Sequence, residues 1–374
     1  MRFLQPGVYF LEGDEAAGLG AILAGCRFYA GYPITPASEI MEFMARYMPK
    51  VGGVFIQMED EIASIAAVIG ASWAGMKAMT ATSGPGFSLM QENIGLAFIT
   101  ETPLVIINVQ RVGPSTGRPT KAAQGDLMQT KFGTHGDYMP VALYPDSPQE
   151  MLDLTIEAFN ISEMLRTPVI VLSDEIIGHL RERVEVPEKI DLIERKTYPE
   201  GVRVKYPFDP DEDLVPKFTP LGHGHRVHIT GLSHSSTGYP VESQKEHDLL
   251  IRRLFNKILR KIKEIFHYEV LNPDAKIKIL TFGCVARSAK IIAKRHKNIG
   301  LIRLKTIWPL NEEVVGELIQ DSRVLIPEMN LGQMFYEIKR IGLEYGAKEI
   351  KSYTKIGGEP IYPNEILEAM KPWL

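Results

Sequence analysis

"YAGYPITPASEIMEFM", Tyr29 to Met44, runs from a short apolar stretch through a Tyr-Pro-x-Thr-Pro corner into a segment with helical spacing. Ile40, Phe43, Met44 and Tyr47 recur at the intervals of one helix face, with Pro36 suited to the first helical position and Thr35 to the N-cap. Strand, tight corner and helix in succession are the repeat of an open α/β sheet. Thr35 then sits where a strand ends and exposed helix N–H groups begin, which is where such sheets bind ligands.

The same alternation extends in both directions. "VYFL", "RFYAG", "GVFIQ", "KAMTAT", "PLVIINV", "PVALYP" and "PVIVLSD" read as strands. Between them lie a helix from Glu61 to Ala74, with Ile62, Ile65, Ala66 and Ile69 as its apolar stripe, and a longer one from Ser147 to Leu165. Residues 1–183 are therefore expected to form one α/β domain with a doubly wound parallel sheet. Residues 184–220, rich in proline and charge and without a sustained period, read as a linker crossing a surface. Residues 221–374 hold a second, smaller α/β unit, in which "IKILTFG", "IGLIRLKT" and "RVLIPE" alternate with helices from Ala286, Asn311 and Gly332. The segment "SQKEHDLLIRRLFNKILRKIKEIF" reads as one helix, with Leu249, Leu250, Leu254, Ile258 and Ile262 on its apolar stripe and its basic residues on a solvated face.

A chain of 374 residues with a net charge of -4 carries no general footprint for nucleic acid. No apolar run reaches membrane-spanning length, and the opening "MRFLQPGVYFLEGDEAAG" lacks the features of a signal peptide, so a cytoplasmic protein is expected. Cys26 and Cys284 are the only cysteines, which excludes a disulfide framework, an all-cysteine zinc site and a four-cysteine iron-sulfur site within the chain. Both read as core residues. "GDEAAGLGAIL" matches no dinucleotide fingerprint, and its small residues suit close helix packing. His223, His225, His228 and His234 lack a companion ligand spacing and read as surface or interface residues, so no metal ligands are assigned.

Three stretches carry chemistry. Glu59, Asp60 and Glu61 stand at a strand-to-helix junction, where carboxylates favour the positive helix end. Glu61 also opens the apolar stripe, so burial would raise its pKa and suit it to acid/base work. Ser83, Gly84, Pro85 and Gly86 form a turn that allows close approach to a ligand, although a plain tight turn explains them equally well. "NVQRVGPSTGRPTKAAQGDL" places Arg111, Arg118 and Lys121 among small polar residues with no aromatic, the composition of a carboxylate-binding loop.

"GYPITPASE", "MEDEIASIAAVIGASWAG", "TATSGPGFSLMQENIG" and "QRVGPSTGRPTKAAQGDL", in that order, resemble the α chain of 2-oxoacid:ferredoxin oxidoreductases, most closely the 2-oxoglutarate type. The resemblance runs on through "GLSHSSTGYP", "LTFGCVARSAK", "IWPL" and "IPEMNLGQM". It implies a thiamin diphosphate fold of the pyrimidine type, followed by a transketolase C-terminal-like domain. It further implies a β subunit that holds the diphosphate, Mg2+ and a [4Fe-4S] cluster, possible γ and δ subunits of ferredoxin type, and ferredoxin as electron acceptor. Coenzyme A would collect the acyl group after oxidative decarboxylation. By motif, Glu61 would pair with the aminopyrimidine nitrogen, with Ser83, Gly84 and Phe87 facing the cofactor. Thr35 and Arg111 would hold the 2-oxo-carboxylate end, and Arg118, Thr120 and Lys121 would meet a second carboxylate. The alternatives are a non-catalytic scaffold subunit of such a complex and half of a thiamin-dependent decarboxylase or transketolase without a redox partner.

Overall fold

The computed structural model describes residues 5–374. Six parallel strands build the main sheet in the order Val141–Leu143, Pro168–Asp174, Leu104–Val112, Ala78–Thr82, Phe28–Gly31, Val54–Gln57. Its central strands are apolar on both faces because helices cover both. Val105, Ile107 and Val109 face one core with helices Gly13–Leu23, Ser38–Tyr47 and Pro148–Leu165. Leu104 and Ile106 face the other, with helices Glu61–Trp73 and Gly84–Ile99. Gly20 earns its place in the first layer: a Cβ there would stand 2.6 Å from the Leu152 carbonyl oxygen of the facing helix.

A second sheet of five strands follows in the order Tyr268–Leu271, Ile299–Leu304, Ile277–Thr281, Arg323–Glu328, Glu349–Thr354, antiparallel at the first pairing and parallel elsewhere. The strand Thr306–Trp308 leaves it to pair antiparallel with Val141–Leu143 of the main sheet. Both apolar cores include side chains from both sheets, so the two units are packed as one body. Cys26 and Cys284 are free and buried.

Several details differ from the sequence expectation. "VYFL" lies in Gly7–Glu12, which pairs antiparallel with Arg181–Val186 as a separate ribbon; Val8 and Phe10 on its open face stay exposed. Residues 187–243 contain no helix and only isolated bridges, and Arg195 within them is buried on Glu163 at 2.6 Å. The charged helix ends at Leu259, with a short turn Ile262–Ile265 after it, and Leu249 is exposed. Its basic face is not wholly solvated: Arg253 and Lys257 reach the buried Glu101 at 2.6 and 2.9 Å. A single carboxylate hidden at the end of the Gly84 helix, invisible to local periodicity, draws them inward.

Candidate active site

The Tyr-Pro-x-Thr-Pro corner is a reversal rather than a capped helix start. The Thr35–Pro36 peptide is cis, and the Ala37 N–H donates to the Ile34 carbonyl at 2.9 Å, which closes a turn of type VI. The turn consumes Thr35 and Pro36, so the helix begins at Ser38 with Ala37 as N-cap. What the corner offers is the Thr35 carbonyl, which accepts a hydrogen bond from Arg111 Nη1 at 2.7 Å. Arg111 lies near the end of strand Leu104–Val112 and is only 8% exposed, with no protein partner for its Nε–H. Burial lowers its pKa, against the opposing charges of Asp126 and Glu61. A buried guanidinium with an unused donor is suited to an anion.

Glu61 is the first residue of its helix, behind Asp60, whose carboxylate caps the Ala63 N–H at 2.7 Å. Because Asp60 meets the helix end, Glu61 is free for another purpose. It is 4% exposed and shares the inward face with Ser64, Ile65 and Val68, whereas Ile62, assigned to that stripe from sequence, points outward at 47% exposure. Its carboxyl packs where a side chain at position 86 would be: a Cβ on Gly86 would overlap both Thr82 Oγ1 and Glu61 Oε1. Burial raises the Glu61 pKa and the Asp60 charge adds to this, while its own backbone hydrogen bond and Arg111 oppose it.

Ser83 is the extended residue before helix Gly84–Ile99, and its buried Oγ has no partner. Gly84 lies against Asp126, whose Oδ2 would be 3.3 Å from an added Cβ. Asp126 is held by the Asn108 amide at 2.9 Å and donates its own N–H to Gln110 Oε1 at 2.9 Å; burial raises its pKa. Phe87 is buried in the core under the sheet.

A cavity of about 650 Å³ opens where these loops meet the second unit. Gly84, Pro85, Arg111 and Asp126 line one wall, and Asn330 and Gly357 belong to the other. The walls are stitched together: Met329 N–H donates to Gln124 Oε1 at 3.0 Å, and Gln333 Nε2 to the Gly125 carbonyl at 2.6 Å. Glu61 does not line this cavity; it packs against Gly86 of the same turn. Arg118 opens strand Arg118–Ala122, which folds back on Leu104–Val112. Its Nη1 donates to the Gly357 carbonyl, and Lys121 pairs with Glu359 at 2.9 Å. Thr120 is exposed.

The structure thus brings Thr35, Glu61, Ser83, Gly84 and Arg111 to one edge of the sheet, and sets Arg118 and Lys121 against the second unit. Asp126 and Asn108 were not singled out from sequence, and Gly86 was read there only as part of a turn that admits a ligand, not as the space for Glu61. Gly86 carried a signal in its Gly-Pro-Gly setting; nothing local marked the loop 329–333 or the segment 356–359 as walls of the cavity.

The comparisons agree with this architecture. Residues 19–253 match the family model described as pyruvate flavodoxin/ferredoxin oxidoreductase, thiamine diphosphate-binding, and residues 275–366 that of pyruvate:ferredoxin oxidoreductase core domain II. The KorA subunit of 2-oxoglutarate synthase from Methanocaldococcus jannaschii is 52% identical over 97% of this chain and 99% of its own length. The KorA subunit from Archaeoglobus fulgidus is 47% identical over 88% of this chain and 90% of its own. Among solved structures, the 2-oxoglutarate:ferredoxin oxidoreductase from Magnetococcus marinus superposes with a TM-score of 0.90 at 35% identity; the match covers 98% of this chain and 65% of that one. A split-gene transketolase, at 12% identity and a TM-score of 0.55, shares the fold alone. A family match over more than half the chain and relatives of this identity lead to one conclusion: the chain belongs to the 2-oxoacid:ferredoxin oxidoreductases, as a subunit of their α type.

Proposed function

We propose that this chain is the α subunit of a 2-oxoglutarate:ferredoxin oxidoreductase, active with partner subunits in the cytoplasm, and that it forms the aminopyrimidine side of a thiamin diphosphate site. The observation that carries the reading is Glu61, a buried carboxyl with a raised pKa, packed on a glycine that leaves it room and electrostatically linked to a buried arginine. The residues present suit the cofactor. Ser83 Oγ and Arg111 Nε are buried polar atoms awaiting partners, and Gly84, without a side chain, keeps the helix start open to the cavity. No helix among the described residues is long and apolar enough to cross a membrane.

When bound, thiamin diphosphate supplies the carbon nucleophile for the 2-oxo group and takes up the electrons left by the departing carbon dioxide. Glu61 holds a proton at its carboxyl for the facing ring nitrogen, a role suited to a carboxylic acid with a raised pKa. Arg111 binds the 2-oxoacid carboxylate, and the Thr35 carbonyl fixes the orientation of its guanidinium. Ser83 and Gly84 border the cofactor. The second carboxylate of 2-oxoglutarate needs its own cation, because a buried unpaired charge is costly. Lys121 is already paired with Glu359, whereas Arg118 commits one Nη1–H to Gly357 and retains the rest of its fork, so Arg118 is the better candidate, with Thr120 beside it. The diphosphate, Mg2+ and [4Fe-4S] cluster belong to a β subunit in this reading, with γ and δ chains of ferredoxin type as further candidates.

The test is coexpression with the neighbouring subunits and measurement of ferredoxin or dye reduction across 2-oxoacids with coenzyme A. The expected result is turnover that is highest with 2-oxoglutarate and dependent on thiamin diphosphate. Preference for a monocarboxylic 2-oxoacid would refute the substrate assignment, and an inactive complex with bound cofactor would favour a scaffold.

A further inference from the structure

Behind the Thr35 corner, and apart from the cavity, three elements converge on a point that the reaction does not use. Asp14 comes from helix Gly13–Leu23, Glu39 from helix Ser38–Tyr47, and His179 from the short helix Glu175–His179. One oxygen of each carboxylate and one ring nitrogen of His179 all lie within 4.8 Å of one another. Asp14 is fully buried, and neither of its oxygens has a hydrogen-bond partner. A carboxylate in that state is rare, because native structures pair nearly all buried polar atoms. The backbone is pressed close here: a Cβ on Gly178 would stand 2.7 Å from Asp14 Oδ1.

His179 stands between two carboxylates. Its Nδ1 faces Glu175 Oε1 at 3.6 Å, and its Nε2, also without a hydrogen-bond partner, lies 3.3 Å from Glu39 Oε2. Glu175 stands beyond hydrogen-bond reach at that spacing, close enough for a small ring rotation to give it the Nδ1–H and leave the other nitrogen for an ion. The 3.3 Å spacing is also about the separation of two ligand atoms on a tetrahedral ion with bonds of about 2.0–2.1 Å. Charge points the same way. Arg181 already pairs with Glu12 at 2.8 Å and stands 3.8 Å from Glu15, so it is not available to Asp14. Asp14, Glu39 and Glu175 are left facing one imidazole.

We propose that Asp14, Glu39 and His179 bind one divalent transition-metal ion of the zinc class, with Glu175 orienting the histidine. An imidazole among the ligands favours such an ion over Mg2+ or Ca2+. Glu39 and His179 are partly exposed, which lets them close on the ion and leaves room for a water ligand. The ion would tie the helix after the Thr35 corner to the element that follows strand Pro168–Asp174, and so hold the corner that carries the Arg111 contact.

The experiment uses the full chain, stripped with chelator, dialysed against Zn2+ and then against metal-free buffer, with bound metal measured by elemental analysis. Asp14→Asn, Glu39→Gln and His179→Ala are treated in parallel. The expected result is one equivalent more zinc in the wild type than in each variant, with a zinc-dependent rise in thermal midpoint that the variants lose. Co2+ in place of Zn2+ should give visible absorption bands that disappear in Asp14→Asn. That variant keeps the shape of the side chain and so should fold even if His179→Ala does not. Equal zinc in wild type and Asp14→Asn, including zinc held by His223, His225 and His228 instead, would overturn the proposal, as would a wild type that retains none.

Discussion

Glu61→Gln removes one proton site and almost no volume, so it separates chemistry from packing. Loss of a positioned proton transfer costs on the order of 100-fold in turnover, which is about 2.7 kcal/mol on the barrier. Stability should move the other way. Burial raises the Glu61 pKa above its ordinary 4.5, so the folded chain binds this proton more tightly than the unfolded chain. The penalty is absent below pH 4.5 and grows as pH rises through the folded value, because the unfolded state then releases the proton first. Glutamine carries no such penalty. It forfeits the attraction of a charge to the helix N-terminus, about 0.3–1 kcal/mol, and to Arg111, but burial outweighs the two together. The variant should therefore match the wild type near pH 4.5 and gain on it toward pH 8. The assay is turnover of the reconstituted complex at saturating substrate, beside thermal midpoints of both chains across that range. Turnover within a few-fold of wild type with cofactor bound, or a variant less stable at pH 8 than at pH 4.5 relative to wild type, would refute the reasoning.

Gly86→Ala should reproduce much of the activity loss without touching the carboxyl, because the new Cβ displaces Glu61 and a misplacement of about 1 Å is worth about 100-fold; turnover of the complex checks it. Arg111→Lys should raise KM for every 2-oxoacid by about 10-fold or more, since a charge-assisted hydrogen bond contributes about 1.5–3 kcal/mol; kinetics across three substrates measure it. Arg118→Gln should raise KM for 2-oxoglutarate while sparing pyruvate, with a smaller effect from Lys121→Gln because Glu359 already neutralises that side chain; equal effects on both substrates would remove Arg118 from the site. Glu101→Ala should destabilise the chain by about 3–5 kcal/mol in urea titration, because it strands the buried Lys257 and the nearly buried Arg253 without their partner.

The parallel sheet was legible because its central strands, buried on both faces, are apolar runs such as "PLVIINV", and because helices of clear period separate them. Positions decided by a tertiary neighbour were not. Ile62 fits the helical stripe, yet the stripe's centre is rotated toward Ser64 and Val68, and periodicity alone does not fix that rotation within a residue. Thr35 and Pro36 have the residue types of a cap, but the chain reverses there so that the Thr35 carbonyl can meet Arg111, 76 positions away. Arg253 and Lys257 look solvated until Glu101 is placed beneath them.

The same distinction runs through the site itself. Glu61 could be suspected from sequence because its burial follows from its own helix, whereas its usefulness depends on Gly86, a residue of another helix that supplies the space. Asp60 completes the arrangement by taking the capping role at 2.7 Å, which releases Glu61 from the helix end. Had the cap been Glu61, the helix N–H groups would have favoured its charged form and held its pKa down. Two adjacent acids at one helix start therefore divide the work: the outer one stabilises the helix, and the inner one holds its proton more tightly than a free carboxyl because burial outweighs its own backbone hydrogen bond and Arg111. The cost is a buried carboxyl in a half-polar setting, which is why the loss of function and the gain in stability on Glu61→Gln should appear together, over the same range of pH.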